Sequence, residues 1–194
     1  MTTDDAPGWD ARYHDARVTG QTTWSPTPNA WVEATVAGLA PGSALDLGAG
    51  EGRHALWLAG RGWRVTAVDY SAEGIETGRS RAGLLDVDWV VGDARTWRPS
   101  RLYDLVLLAY LHIPHADLAR VIGDVPLARG GTLAVIGHDE TNTVGGPSDA
   151  SILLSPDRLR DAAAGLEIVT ADRIERSTPN GVALDTVLVA RRSA

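Results

Sequence analysis

"LDLGAGEGR", residues 45–53, decides the reading of this chain. A short apolar run carries an acid, Asp46. It then breaks into glycines at 48, 50 and 52, followed by Arg53 and a further apolar segment. A strand-to-helix turn of this kind gathers free backbone N–H groups and the positive end of a helix dipole at one spot, and glycine lets the backbone approach a ligand closely. The dinucleotide fingerprint G-x-G-x-x-G/A ends in a small residue that permits close helix–strand packing. Here that position is Arg53, and the third glycine is Gly52 instead. An acid just before the glycines would repel a pyrophosphate; it suits a cationic amino group. The loop therefore predicts a nucleotide-like ligand that has no need of phosphate.

Outward from the loop, apolar strand-like runs occur at 44–47, 64–69, 87–91, 102–110, 132–138, 166–174 and 182–190. Helix-like segments at 53–59, 71–82, 115–128 and 155–164 separate most of them, and several are stopped by glycine. This alternation predicts an α/β fold: a single Rossmann-like, doubly wound sheet of seven strands, with helices on both faces. The sheet should be mostly parallel, because only the last connection is short. Asn180-Gly181 favours a tight turn, so the final strand should pair antiparallel as a C-terminal hairpin. Its alternating Val182, Leu184, Thr186 and Leu188 predict a strand at the sheet edge. Upstream, 26–39 reads as a helix with Thr27 as cap and Pro28 in the first turn. Trp9, Tyr13 and Trp24 lie in a stretch too short for its own core. Residues 1–40 are thus expected to form a lid or helix segment packed on a domain at 41–194.

Composition narrows the chemistry. The chain has 194 residues, 44% of them hydrophobic, which suits one domain with a sizeable core. It has no cysteine, which removes disulfides, thiolate metal sites and thiol nucleophiles. All 18 basic residues are arginine, so Schiff-base chemistry and a Walker lysine are also excluded. Net charge is −7 and no basic cluster occurs, which argues against nucleic acid and for a small-molecule partner. No apolar run reaches the ~18 residues of a membrane span. The polar, acidic start is unlike a secretory signal, so a cytoplasmic protein is expected, as monomer or homodimer.

Two more acids complete the ligand. Asp69 ends the second strand-like run, about 20 residues past the glycine loop, where an acid for ribose hydroxyls belongs. Asp93, in "GDA" after the third run, can accept a hydrogen bond from an exocyclic amine. An amino group, a ribose diol and an adenine amine together describe S-adenosylmethionine.

With these residues placed, the chain resembles a class I S-adenosylmethionine-dependent methyltransferase over about residues 9–192. Its layout is similar to the TehB-type, thiopurine-like small-molecule branch, on "LDLGAGEGRHALWLAGRGWRVTAVD" and a compact chain. The resemblance implies that Asp46, Gly48, Ala49, Gly50 and Gly52 hold the methionine moiety. It implies that Asp69 holds the ribose, Tyr70 lies on adenine, and Asp93 with Ala94 meets the adenine amine. It further implies that Ala109, Tyr110 and His112 line the methyl site. The cofactor expected is S-adenosylmethionine, leaving as S-adenosylhomocysteine.

His112 lies just beyond the fourth run, at the mouth where such sheets bind ligands, and a neutral imidazole there can orient a substrate or take its proton. His112 and Tyr110 are the catalytic candidates. Tyr13 is expected over the cofactor and Trp24 over the substrate. His115, His138 and Asp139 are further substrate-side candidates, and the polar loop 139–151 should lie on the same side. His54 is expected to be structural. Arg53, in the first turn of a helix where a cation is unfavourable, can pair with Glu51 or Asp46 or simply be solvated. Metal-dependent catechol-type relatives carry an acid where this chain has Ala109-Tyr110, so no metal is expected. A non-catalytic S-adenosylmethionine sensor and an NAD(P)-dependent oxidoreductase are the competing readings. Arg53 and the terminal hairpin disfavour the second.

Overall fold

The apolar runs become seven strands of one sheet in a computed structural model that describes residues 6–194. They are β1 (Ser43–Leu47), β2 (Arg64–Asp69), β3 (Val87–Val91), β4 (Tyr103–Ala109), β5 (Leu127–His138), β6 (Glu167–Thr178) and β7 (Gly181–Arg191). Their order is β3-β2-β1-β4-β5-β7-β6. The first five are parallel, and β7 runs antiparallel to both β5 and β6. The helices are α1 (Ala6–Val18), α2 (Ala30–Val36), α3 (Arg53–Gly60), α4 (Ala72–Arg81), α5 (His115–Gly123) and α6 (Pro156–Ala162). Residues 1–5, part of the expected N-terminal segment, lie outside the described residues.

A parallel sheet must be covered on both faces, and two apolar clusters do this. Val32 and Val36 of α2 and Ala55 and Leu58 of α3 pack with Val65, Leu105 and Val187 in one. Leu118 and Ile122 of α5 and Leu159 of α6 pack with Leu45, Val106 and Leu188 in the other. Each fully buried aliphatic side chain contributes roughly 1.5–3 kcal/mol. α2 is therefore core, whereas α1 rests on α4: Arg17 pairs with Glu73 at 2.7 Å, and Ser71 Oγ donates to Asp10 at 2.5 Å.

Three local expectations need correction. The sheet edge is β6, not β7. The polar positions of β7 do not face water: Asp185 and Thr186 are fully buried, bonded to Tyr110 and Arg176 and to Asp139 respectively. The helix expected over 115–128 stops at Gly123, because Pro126 has no N–H to continue it, and Leu127 already begins β5. The cap of α2 is Asn29 rather than Thr27; its side chain accepts from Trp31 N at 2.9 Å.

Candidate active site

The C-terminal ends of β1, β2, β3, β4 and β5 open on one cavity of about 1580 Å³. Small-molecule sites are cavities of roughly 300–1,000 Å³, so this one exceeds what a single drug-sized ligand needs. Gly48 and Gly50 wall it with φ of +83° and +54°, a region that favours glycine. A Cβ at Gly48 would lie 2.9 Å from Leu111, and one at Gly50 would lie 2.5 Å from the Tyr13 hydroxyl. The loop thus carries close neighbours on its cavity side.

Asp69 clamps this loop. One carboxylate oxygen accepts from Gly50 N at 2.8 Å and the other from Ser71 N at 2.9 Å. Burial pushes its pKa up, against those two bonds. Tyr70, Ala94 and Ala109 line the cavity. Asp93 does too, but it is already gripped by Arg95, whose Nη2 lies 2.6 Å away. That pairing holds Asp93 below its ordinary pKa.

Asp46 is fully buried beneath the loop and is not on the cavity wall. Neither carboxylate oxygen makes a well-formed hydrogen bond; the Ala55 N–H is the nearest backbone donor acting on it. Burial pushes its pKa up to about 7, with the Ala55 N–H and the Arg53 charge opposing. Gly52 is likewise off the wall. It caps α3 in the left-handed region (φ +76°), and the space a Cβ would take is filled by the Trp89 indole, as it is at Gly78. The reason for Gly52 is packing, a correction to its reading as a ligand contact.

Tyr110 is the only non-glycine residue with positive φ (58°) among the described residues. An aromatic residue there stores roughly 1–2 kcal/mol of strain, which concentrates at functional sites. Its hydroxyl donates to Asp185 at 2.7 Å and accepts from Asn29 Nδ2 at 3.0 Å. Burial and the Asp185 charge push its pKa up, so it stays a neutral phenol. The His138 ring lies 4.9 Å from the Tyr110 ring, and His112 lies 5.7 Å from His138. Burial lowers the His112 pKa to about 4, and its Nε2 has no partner. His138 is lowered too, with Asp185 opposing at 3.6 Å. Both rings are neutral near pH 7. His54 is buried and accepts from Asn29 N, the structural role expected of it.

Trp9 bridges the N-terminal segment to the site: its ring lies 5.6 Å from Tyr13, 6.0 Å from Trp24 and 6.2 Å from His112. Glu51 pins this cover by accepting from Thr23 N and facing Arg81. Two substrate-side candidates fall away. His115 Nε2 binds the Leu153 carbonyl at 2.7 Å and is not on the cavity wall. Asp139 is fully buried and bonded to Thr141, Thr186 and Arg173, so it braces β5 and β7. The loop after β5 does reach the cavity, through residues 144–149.

Asn29, Arg53, Arg176 and Asp185 were missed as site residues. Asp185 had a signal, since an acid inside "VALDTVLVA" is as costly unpaired as Asp46 in its strand. Asn29 and Arg176 reach Tyr110 only through the fold.

Residues 44–126 match the family described as methyltransferase domain. A trans-aconitate 2-methyltransferase from Streptomyces avermitilis is 34% identical over 109 residues, covering 48% of this chain and 38% of that protein. The match therefore spans well under half of that relative's length. TehB from Haemophilus influenzae superposes with a TM-score of 0.74 at 18% identity, over 94% of this chain and 67% of that one. A protein solved in work on conversion of a disulfide bond into a thioacetal group during echinomycin biosynthesis gives 0.71 at 23% identity, over 93% and 90%. The N-methyltransferase NodS from Bradyrhizobium japonicum, in complex with S-adenosyl-L-homocysteine, gives 0.66 at 14% identity, over 94% and 88%. The fold is the Rossmann-like one of these structures, and residues 44–126 match a methyltransferase domain.

Proposed function

We propose that this methyltransferase domain uses S-adenosylmethionine to methylate a sulfur, oxygen, nitrogen or chalcogen-oxyanion nucleophile of a small molecule. The observation that carries the reading is the Gly48–Gly50 turn, clamped by Asp69 and opening on a cavity that also holds Asp93, Tyr110 and His112. These residues fit the donor. Glycine backbone suits close approach by its amino-acid end, with the buried carboxyl of Asp46 behind. Asp69 and Tyr70 fit the ribose and adenine, and Asp93 with Ala94 the adenine amine.

Bound S-adenosylmethionine supplies an electrophilic methyl on a sulfonium sulfur. The chain supplies alignment and dryness, which lower the barrier of an in-line displacement. Trp9, Tyr13 and Trp24 exclude water above the methyl site. Tyr110, fixed by Asn29 and Asp185, sets the wall of the acceptor side. Its proton is committed to Asp185, so it positions rather than deprotonates. His112 is neutral with a free Nε2 and can accept a proton from an oxygen or nitrogen acceptor. A thiolate or chalcogen anion would not need it.

Calorimetry with S-adenosylmethionine and NAD tests the donor: binding of the first alone is expected, and binding of NAD alone would overturn the reading. Release of S-adenosylhomocysteine with thiols, tellurite, selenite or small phenols separates an enzyme from a sensor, which binds without turnover.

A further inference from the structure

Arg53 is placed where a cation is costly, and among the described residues no hydrogen bond or ion pair offsets it; the buried Asp46 carboxyl beneath the loop acts on it only through its field. It opens α3, at the helix end whose dipole repels positive charge. It is half-buried on the cavity wall, yet among the described residues it makes no hydrogen bond or ion pair. The acids that sequence reading offered it are otherwise placed: Glu51 faces Arg81, and Asp46 lies off the wall beneath the loop. Its one close neighbour is an aromatic face, with the guanidinium 5.9 Å from the centre of the Tyr110 ring.

That ring locates Arg53 on the acceptor side. Arg176 lies 5.7 Å from the same ring, and the rings of His138 and then His112 continue from it. Arg176 is matched by Asp185 at 2.6 Å. The two histidines are neutral. Among the described residues, this end of the cavity thus carries positive charge that no ion pair offsets: Arg53 beside Tyr110, and Arg12, which sits over the Trp9 ring and whose charge reaches His112. At the other end Asp93 is matched by Arg95.

We infer that Arg53 anchors an anionic group of the methyl acceptor, a carboxylate or similar oxyanion, beside Tyr110. The inference rests on the methyltransferase reading and deepens it by naming the acceptor's charge. A guanidinium binds such a group through two parallel N–H donors, and a partly desolvated site strengthens the bond. The donor's own carboxylate has the same chemistry, so the test must separate the two.

The protein saturated with S-adenosylhomocysteine is titrated calorimetrically with benzoate, succinate and tricarballylate, and with the corresponding carboxamides. At least one carboxylate is expected to bind about tenfold or more tightly than its amide. Arg53→Met should weaken that binding roughly 10- to 100-fold. It should leave the affinity for S-adenosylhomocysteine within about twofold. Arg53→Lys should recover only part, because it keeps the charge but loses the fork. Failure of every carboxylate to outbind its amide overturns the inference. So does a loss of S-adenosylhomocysteine affinity in Arg53→Met that is absent with the decarboxylated analogue, because Arg53 then holds the donor. If the parent protein does not bind S-adenosylhomocysteine at all, the methyltransferase reading itself fails, a result distinct from either.

Discussion

Gly52→Ala should unfold the chain more easily without touching the ligand site. Two costs add at this position. The residue has φ +76°, and an L side chain there costs roughly 1–2 kcal/mol. The new Cβ would also occupy the space of the Trp89 indole, and overpacking of a formed interior costs roughly 1–3 kcal/mol. The total of about 2–5 kcal/mol is a large share of the ~5–15 kcal/mol by which domains are stable. The two parts are separable by a double-mutant cycle. In a Trp89→Leu background the overlap is relieved, so Gly52→Ala should then cost only the backbone part. A coupling of about 1–3 kcal/mol, measured by urea unfolding, is the expected result. Affinity for S-adenosylhomocysteine, measured on the folded single variant, should change little, because Gly52 is not on the cavity wall. A folded Gly52→Ala protein with parental stability and weakened ligand binding would refute the packing argument and restore the glycine to the ligand.

The remaining predictions concern buried carboxylates. Asp69→Ala orphans the Gly50 and Ser71 N–H groups, each bond to a charge being worth about 1.5–3 kcal/mol; thermal melting should fall without ligand, and S-adenosylmethionine affinity should drop tenfold or more by calorimetry. Asp46 has its folded pKa raised to about 7, above the unfolded value, so the folded state is penalised increasingly as pH rises from about 4 to 7. Asp46→Asn should therefore gain stability over the parent through that window, to a plateau on the order of a few kcal/mol, and a constant difference in unfolding free energy from pH 4 to 8 would contradict this. Asp139 behaves oppositely: its bonds to Arg173, Thr141 and Thr186 outweigh burial and hold it down to about 2. Its stabilisation is present above the unfolded pKa near 4 and is lost as pH falls toward 2. Asp139→Asn should cost about 1–3 kcal/mol in unfolding at pH 7 and leave acceptor KM unchanged; a raised KM at parental stability would return Asp139 to the substrate side.

What was legible in the chain is what local chemistry dictates. Period and length of the apolar runs predict seven strands, and Asn180-Gly181 predicts the reversal that makes β7 antiparallel. The glycine loop announces itself because the left-handed φ values found at 48, 50 and 52 strongly favour glycine. Asp69 follows from spacing, since the second parallel strand must end beside the first. Tertiary structure decided everything that depends on which side chains meet across the sheet. The same glycine rule covers Gly50, which lies on the cavity wall against the Tyr13 hydroxyl, and Gly52, which makes room for Trp89; sequence cannot tell which neighbour each glycine accommodates. The polar positions of β7 look solvent-facing until Tyr110, Arg176 and Asp139 arrive from distant segments to satisfy them. His115 opens α5 and Asp139 follows β5, both near the mouth of the sheet, but their partners hold them away from the cavity. Arg53 was visible as a cation at an unfavourable helix start. That it has no partner is a property of the folded arrangement alone.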